Sequence, residues 1–192
     1  MAGRAARLAG LPCSKEILPI GPLAAETQQP RVVCEHLLGK MHRAGVSNIY
    51  VILREGKWDI PAYLGDGSKA GVQLAYLMMG LPYGTPYSID QSFPFVRQAT
   101  VALGFPDMIF GPEDIFTPLI QHQQSSSADV VLGLFPVEQS SKWDAVVRNA
   151  HGAITDILPK PHHESTGMTW ILAVWGPRFT QFLHDFVGRF VE

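Results

Sequence analysis

The segment AGRAARLAGLPCSKEILPI, residues 2–20, carries the strongest indication of what this chain folds into. Its first part contains small residues that let backbone N–H groups approach an anion: Gly3, Ala5 and Ala6. Two cations that suit phosphate oxygens follow along the chain: Arg7 and Lys15. An apolar run at 17–20 would attach the lysine to the body of a domain. The segment predicts a phosphate-binding loop with a lysine anchor, and the alternative is a basic, alanine-rich tail.

Composition restricts the classes of protein to be considered. The chain has 192 residues, 46% hydrophobic and 17% charged, so it is long enough for one globular domain with a full core. Its net charge of −2 argues against nucleic acid or an anionic membrane as the main partner. The two cysteines, Cys13 and Cys34, lie far apart, which favours a reduced, cytoplasmic protein. No apolar run approaches the length that is needed to cross a bilayer.

Helical and strand patterns alternate along the chain. Apolar residues recur at helical spacing over 33–44, and 48–53 is a short apolar run of strand type. Residues 88–103 are compatible with a helix that Pro94 interrupts, and 128–135 have the composition of a buried strand. This alternation predicts an α/β domain with three layers, α/β/α, and a mostly parallel, Rossmann-like sheet. Ligands bind such sheets at the carboxyl ends of the strands.

The second half of the chain is richer in strands. A short strand is predicted at 108–110, a hairpin around the turn at 149–152 and a further strand at 168–175. The last segment has apolar residues at the spacing of one buried helix face: Phe179, Phe182, Leu183, Phe186, Val187 and Phe190. We therefore expect a C-terminal helix that packs against the sheet along this face.

The order of these features resembles the sugar-1-phosphate nucleotidyltransferase family. In that family a glycine-rich loop ending in Arg-Leu precedes a Pro-Lys-x-Leu-Leu-Pro segment. The stretch LPCSKEILP, residues 11–19, is most similar to the glucose-1-phosphate thymidylyltransferase group. The resemblance implies that Arg7 and Lys15 are catalytic and that the small residues of the loop bind the nucleotide. Ala5 stands where a glycine is usual, and Ser14 stands where the proline is usual.

Three later segments extend the resemblance over nearly the whole chain. YLMMGLPYG resembles the stretch that reads the base, which places Gly84 at the nucleotide, although Met79 replaces the usual glutamine. PDMIFGPEDIF resembles the strand and turn that deliver a magnesium-binding aspartate, which implies Asp114 as the metal ligand. GAITDILPKP resembles the element that holds the sugar phosphate, which implies a role for Lys160.

The resemblance implies a single domain over 1–192, in which 1–127 bind the nucleotide and 128–192 bind the sugar phosphate. The implied reaction transfers a nucleoside monophosphate from a nucleoside triphosphate to a sugar 1-phosphate, with Mg²⁺ as cofactor and pyrophosphate as the second product. The alternative is a non-catalytic nucleotide- or sugar-binding or assembly module derived from the same family. A glycosyltransferase is a third class, but it normally needs an Asp-x-Asp pair, which the sequence lacks. Homo-oligomerisation stays open.

Each implied residue also has a structural alternative. Lys15 can be a solvated lysine before a strand, Asp114 a helix cap and Lys160 an exposed loop lysine. The His-His-Glu cluster at 162–164 is interpreted as a polar loop, because no further ligand has the spacing of a metal site. The family has an apolar strand before the loop and a later strand with a second magnesium-binding aspartate. Neither has a counterpart here, so we expect a family member truncated at both ends.

Overall fold

The computed structural model describes residues 10–23, 30–81, 83–138, 140–161 and 167–191. The strands are β1 (Pro19–Leu23), β2 (Pro30–Val32), β3 (Asn48–Arg54), β4 (Gln73–Met79), β5 (Val101–Gly104), β6 (Val130–Val137), β7 (Ala145–Arg148), β8 (Ile154–Leu158) and β9 (Gly167–Trp175). The helices are α1 (Val33–Arg43), α2 (Asp59–Leu64), α3 (Thr85–Asp90), α4 (Phe93–Val96), α5 (Phe116–Ser125) and α6 (Pro177–Val191). In these ranges no helix has the length and apolar character needed to span a bilayer. The predicted α/β class is confirmed.

Helix α1 and the parallel pair β3–β4 form one part of the core. The helix covers most of the predicted 33–44, and the turn that ends it uses Gly45 with a left-handed φ of 79°, which glycine adopts without strain. Leu38 on one side of α1 packs into the cluster beneath β3, while Leu37 on the other side packs against β9. Strands β3 and β4 pair in parallel along all seven residues of each strand. Helix α1 therefore connects the two buried clusters of the domain.

The second sheet has the strand order β5-β9-β6, and both of its pairs are antiparallel. The prediction of a mostly parallel three-layer sheet is not matched, because β3–β4 is the one parallel pair among the five in the described ranges. Strand β9 starts beside the end of β6, with Gly167 opposite Val137, and finishes with Trp175 opposite Val130. The hairpin of β7 and β8 returns the chain to the same end of the sheet, so β9 has to run back along β6.

Strand β5 corrects the prediction of a helix over 88–103. That segment divides into the short helices α3 and α4, and residues 101–104 then pair with β9. A Cβ added at Gly104 would lie 2.5 Å from a Leu37 methyl group, so this glycine lets α1 approach the strand closely. The predicted strand at 108–110 does not form, because these residues belong to the irregular connection before α5. A short apolar run is compatible with a helix or a strand, and residues 101–104 form a strand because they pair with β9.

Helix α6 forms as predicted but is covered on only part of its apolar side. Val187 is buried, whereas Phe182 and Phe190 are 60% and 74% exposed. The helix packs on α3, α4 and β9, which cover one side of it. The phenylalanines instead stack on one another along the helix, with ring centroids 5.8, 6.3 and 4.8 Å apart in successive pairs from Phe179 to Phe190. The prediction of one wholly buried face is wrong, because periodicity defines an apolar stripe but not the elements that cover it.

Candidate functional site

The short 3₁₀ turn Lys15–Ile17 places the predicted lysine anchor against a carboxylate. The Lys15 ammonium forms an ion pair with Asp107, which lies in the turn after β5. The Lys15 and Asp107 side chains are 24% and 27% exposed, so the pair lies where the protein meets solvent. An ammonium beside a carboxylate at the end of a strand is an arrangement that can bind a phosphate and a cation together.

The residues on either side of Lys15 are both bonded to the segment 57–59, which leads from β3 into the first residue of α2. The Ser14 N–H donates to Asp59 Oδ2 at 2.6 Å, and the Ser14 hydroxyl donates to Oδ1 at 2.8 Å. Lys57 Nζ donates to Glu16 Oε2 at 2.7 Å, and both of these residues are buried. Burial raises the pKa of the Asp59 carboxyl, but the two hydrogen bonds from Ser14 oppose this and bring the pKa below its ordinary value. The Lys15 backbone is thus fixed from both sides.

Lys15 and Asp107 line a cavity of about 780 Å³ between β3 and β5. Its described wall includes the edges of both strands and the aromatic pair Tyr50–Phe95, whose rings stack with centroids 5.3 Å apart. The charged residues among its described lining are Lys15, Glu16 and Asp107. A volume of this size is typical of small-ligand sites. The cavity is therefore mainly apolar, with its charge concentrated around Lys15.

A cysteine also lines this cavity, but it is not a nucleophile. Burial raises the pKa of the Cys34 thiol to about 12, and nearby Glu35 acts in the same direction. A thiol with this pKa stays protonated at neutral pH, and the thiolate is the reactive form. Among the described lining, Lys15 and Asp107 are the groups at the solvent side that can stabilise charge and position a ligand.

The predicted base-reading segment reaches the same cavity through neighbouring residues. Gly84 has a left-handed φ of 95° and precedes α3, and its carbonyl lies 3.0 Å from Ser88 Oγ. That hydroxyl also lies 2.9 Å from the sulfur of the buried Met79. Thr85 and Ser88 line the cavity, whereas Gly84 does not. Ser88 thus links the Met79 sulfur and the Gly84 turn at one place in the wall.

The other two described site residues lie outside the cavity wall. Asp114 is exposed, and its carbonyl accepts a hydrogen bond from the Thr117 N–H at the start of α5. Lys160 is exposed directly after β8 and has a positive φ of 35°, which is uncommon for a lysine. In the described part of the chain no group of three or more His, Cys, Asp or Glu residues has the arrangement of a metal site. Neither Asp114 nor Lys160 lines the cavity that Lys15 lines.

Several predicted residues lie outside the described ranges. They are Gly3, Ala5, Ala6 and Arg7 of the loop, and the cluster at 162–164. Conversely, Asp107 is not among the site residues predicted from the sequence, although this aspartate follows the strand at 101–104 by three positions. Its available signal was its place in PDMIFGPEDIF, the segment from which Asp114 was selected. Because the predicted strand was placed at 108–110 instead of 101–104, the reasoning chose the later of the two aspartates.

Comparison with known proteins identifies the group to which the chain is related. The sequence model of a family described as nucleotidyl transferase matches residues 3–181, which is most of the chain. The chain belongs to the nucleotidyl transferase family. The family resemblance that was found in the sequence is therefore confirmed.

The individual relatives of this chain are distant in sequence. The low-salt glycan biosynthesis nucleotidyltransferase Agl11 of Haloferax volcanii is 25% identical over 158 residues, which are 82% of this chain and 44% of Agl11. A Bacillus anthracis protein assigned as a glucose-1-phosphate thymidylyltransferase, solved with a sucrose, has a TM-score of 0.81 at 17% identity. The match covers 94% of this chain and 71% of that one. HddC from Yersinia pseudotuberculosis has a TM-score of 0.72 at 14% identity, over 96% of this chain and 76% of HddC.

These similarities establish the fold and the family of this chain, but not its substrates. The solved structures share the fold at low identity, and the chain spans less than half of the length of Agl11. The substrates therefore have to be inferred from the geometry and chemistry of the site.

Proposed function

We propose that this chain transfers a nucleoside monophosphate from a nucleoside triphosphate to a sugar 1-phosphate and releases pyrophosphate. The observation that carries the proposal is the Lys15–Asp107 pair at the solvent side of a 780 Å³ cavity. In this reaction the attacking phosphate oxygen is already anionic, so a general base is not needed. The barrier comes from alignment and from the crowding of negative charge, which cations relieve.

In the proposed mechanism the Lys15 ammonium leaves Asp107 and binds the phosphates of the incoming triphosphate. Asp107 would hold Mg²⁺, and the bound ion would supply positive charge that neutralises the phosphates. A site with one carboxylate suits this ion, because Mg²⁺ is commonly held by one or two carboxylates, substrate phosphates and water. The sequence implies Asp114 for this role, and its exposed position keeps it as a second candidate ligand.

The remaining assignments follow the family resemblance. We propose that Gly3, Ala5 and Ala6 place backbone N–H groups at the phosphates and that Arg7 binds the same oxygens. Gly84 then lies at the nucleotide, and Lys160 binds the sugar phosphate. The nucleotide occupies the part at 1–127 and the sugar phosphate the part at 128–192. Thymidine is the first base to test, and a cytoplasmic reaction is consistent with Cys13 and Cys34, which are free thiols.

A second candidate function is a non-catalytic binding module of the same family. The observation that favours it is Met79, whose sulfur replaces an amide in the base-reading segment and is already in contact with the Ser88 hydroxyl. A thioether is at most a weak acceptor and cannot form the paired hydrogen bonds of an amide with a base edge. Such a module would bind a nucleotide through its phosphates without strong selection of the base.

Pyrophosphate release separates the two functions. The purified chain is incubated with glucose 1-phosphate and each nucleoside triphosphate in turn, with Mg²⁺ or with excess chelator. The transferase predicts Mg²⁺-dependent pyrophosphate and a nucleotide sugar in equal amounts, both lost in Lys15→Ala. Calorimetric binding of a triphosphate without any release, across several sugar 1-phosphates, would favour the module.

A further inference from the structure

We infer that two contacts on either side of Lys15, Ser14–Asp59 and Glu16–Lys57, form a two-point clamp that positions this lysine for phosphate binding. The inference rests on the proposed function, because it assigns a purpose to the clamp only if Lys15 binds the triphosphate. Glu16 lines the cavity, but the proposed mechanism assigns substrate binding to none of the four clamp residues. They act through Lys15 and are positioning residues.

The alternation of contacts along residues 14–16 is the first argument. Ser14 bonds to Asp59, the first residue of α2, and Glu16 bonds to Lys57, which lies between β3 and α2. The residue between them bonds to Asp107, on the connection after β5. In a short turn two attachments around a single residue fix its backbone, while its side chain remains free to exchange partners. The backbone of Lys15 is therefore fixed by the contacts of Ser14 and Glu16, whereas the ion pair with Asp107 holds only its side chain.

The chemistry of Glu16–Lys57 is the second argument. Glu16 and Lys57 are 1% and 4% exposed, so both charges have been removed from water. A buried ion pair gains little stability over well-packed apolar side chains of the same size, because desolvation offsets the attraction. Such a pair does, however, define one geometry, since either charge is costly to leave unpaired. The main effect of the Glu16–Lys57 pair is therefore to fix the position of the 14–16 segment and not to stabilise the fold.

The independence of the clamp from Asp107 is the third argument. In the proposed reaction the Lys15 ammonium exchanges Asp107 for the phosphates and must stay within reach of them. If Asp107 were the main support of the 14–16 segment, that exchange would release the lysine. Because the clamp uses Asp59 and Lys57 instead, the backbone position of Lys15 is maintained through the exchange. Glu16 neutralises Lys57 within the buried pair, so of these two lysines only Lys15 can bring its positive charge to the phosphates.

The test removes the buried pair without changing its volume. The double variant Glu16→Gln/Lys57→Met is compared with the parent for melting temperature and for Mg²⁺-dependent affinity and turnover with the triphosphate. Because a small displacement of a catalytic group is costly, we expect a loss on the order of 10- to 100-fold in kcat/KM. The melting temperature should change little, and Lys57→Arg, which keeps the charge, should retain most of the activity. The comparison variant is Lys40→Met/Glu113→Gln, which removes another ion pair of a buried lysine but leaves residues 14–16 and 57–59 unchanged, and its activity should stay close to that of the parent.

A double-mutant cycle distinguishes this inference from the proposed function. If Lys15→Ala alone leaves triphosphate binding unchanged, the proposed role of Lys15 fails and the clamp loses its purpose. If Lys15→Ala weakens binding but the clamp variant matches the parent, the clamp alone is overturned. Positioning predicts that Lys15→Ala costs much less in the clamp variant than in the parent, whereas full additivity contradicts it. Should the double variant not fold, Ser14→Ala and Asp59→Asn test the other contact in the same cycle.

Discussion

Lys15 and Lys160 are both predicted to bind phosphate groups, but their structural surroundings differ. Lys15 lies between two residues that are bonded to the turn at 57–59, and its ammonium pairs with Asp107. Lys160 follows β8, a strand whose five residues are all exposed, and is itself exposed. A lysine stabilises charge in a transition state best when its backbone is fixed. A mobile ammonium must first be ordered, as water molecules must, and this reorganisation costs free energy. The described part of the chain supplies that support to Lys15.

Backbone strain is the one unusual structural feature at Lys160. Its φ of 35° lies in the left-handed region, which costs a non-glycine residue of order 1–3 kcal/mol. Strain of this kind clusters at functional sites, so it supports a role for Lys160 without showing one. Lys15 thus has hydrogen-bonded neighbours and an ion-pair partner, whereas Lys160 has a strained backbone. If this difference determines function, substitution of Lys15 should lower activity more than substitution of Lys160.

The largest expected effect is that of Lys15→Ala. Loss of a charge-stabilising group typically lowers turnover by about 10²- to 10³-fold, and we expect a decrease of this order in kcat with little change in melting temperature. Pyrophosphate release and calorimetric triphosphate binding are the measurements. Lys69→Ala, at an exposed lysine in the 3₁₀ turn Ser68–Ala70, is the matched control and should behave as the parent. Equal activity of the Lys15 variant and this control would remove the assignment.

The next effect concerns the two candidate metal ligands. Asp107→Asn should weaken the Mg²⁺ dependence of triphosphate binding by about tenfold or more, because a neutral amide is a poorer ligand than a carboxylate for a hard cation. Asp114→Asn should have a smaller effect, since Asp114 is exposed and away from the cavity wall. Magnesium titrations of both variants decide between them. A loss confined to Asp114→Asn would restore the assignment made from the sequence and leave Asp107 as a partner of Lys15 only.

A smaller effect is expected at Lys160, and it can be divided into charge and strain. Lys160→Ala should raise KM for the sugar 1-phosphate by less than about tenfold, because an exposed contact contributes on the order of 1 kcal/mol or less. Lys160→Gly removes the same charge but also relieves the left-handed φ, so it should be more stable than Lys160→Ala by about 1 kcal/mol. Substrate kinetics and thermal unfolding of both variants are the measurements. Losses as large as those of Lys15→Ala would show that the fixed backbone is not the deciding difference.

The smallest effect is a pH dependence of stability at the Ser14–Asp59 contact. The folded-state pKa of Asp59 is lower than its unfolded value, so the contact stabilises the fold above the unfolded pKa of about 4 and is lost as pH falls through the folded pKa. Asp59→Asn should therefore cost about 1 kcal/mol at pH 7, the size of one net hydrogen bond, and the difference from the parent should shrink below about pH 4. Thermal unfolding from pH 7 to pH 3 measures this, and a difference that is constant with pH would contradict it.

Local patterns explain the features that could be predicted from the sequence. The spacing of apolar residues at 33–44 is sufficient for α1, and the continuous runs at 128–135 and 168–175 correspond to β6 and β9 within two residues. The order of motifs from residues 2–20 onward identified the family that the comparison confirms. These features depend on neighbours along the chain, so side-chain periodicity and motif order determine them.

The tertiary structure decided the features that depend on distant residues. Antiparallel pairing of β9 follows from the return path of the β7–β8 hairpin, and strand rather than helix at 101–104 follows from the neighbouring β9. The same holds for the candidate site, where Lys15 meets Asp107 across 92 positions and Glu16 meets Lys57 across 41. The sequence by itself determined which residue types were available and in what order. Only packing decided which of them meet, because contacts between distant segments depend on how whole elements are arranged and not on any local pattern.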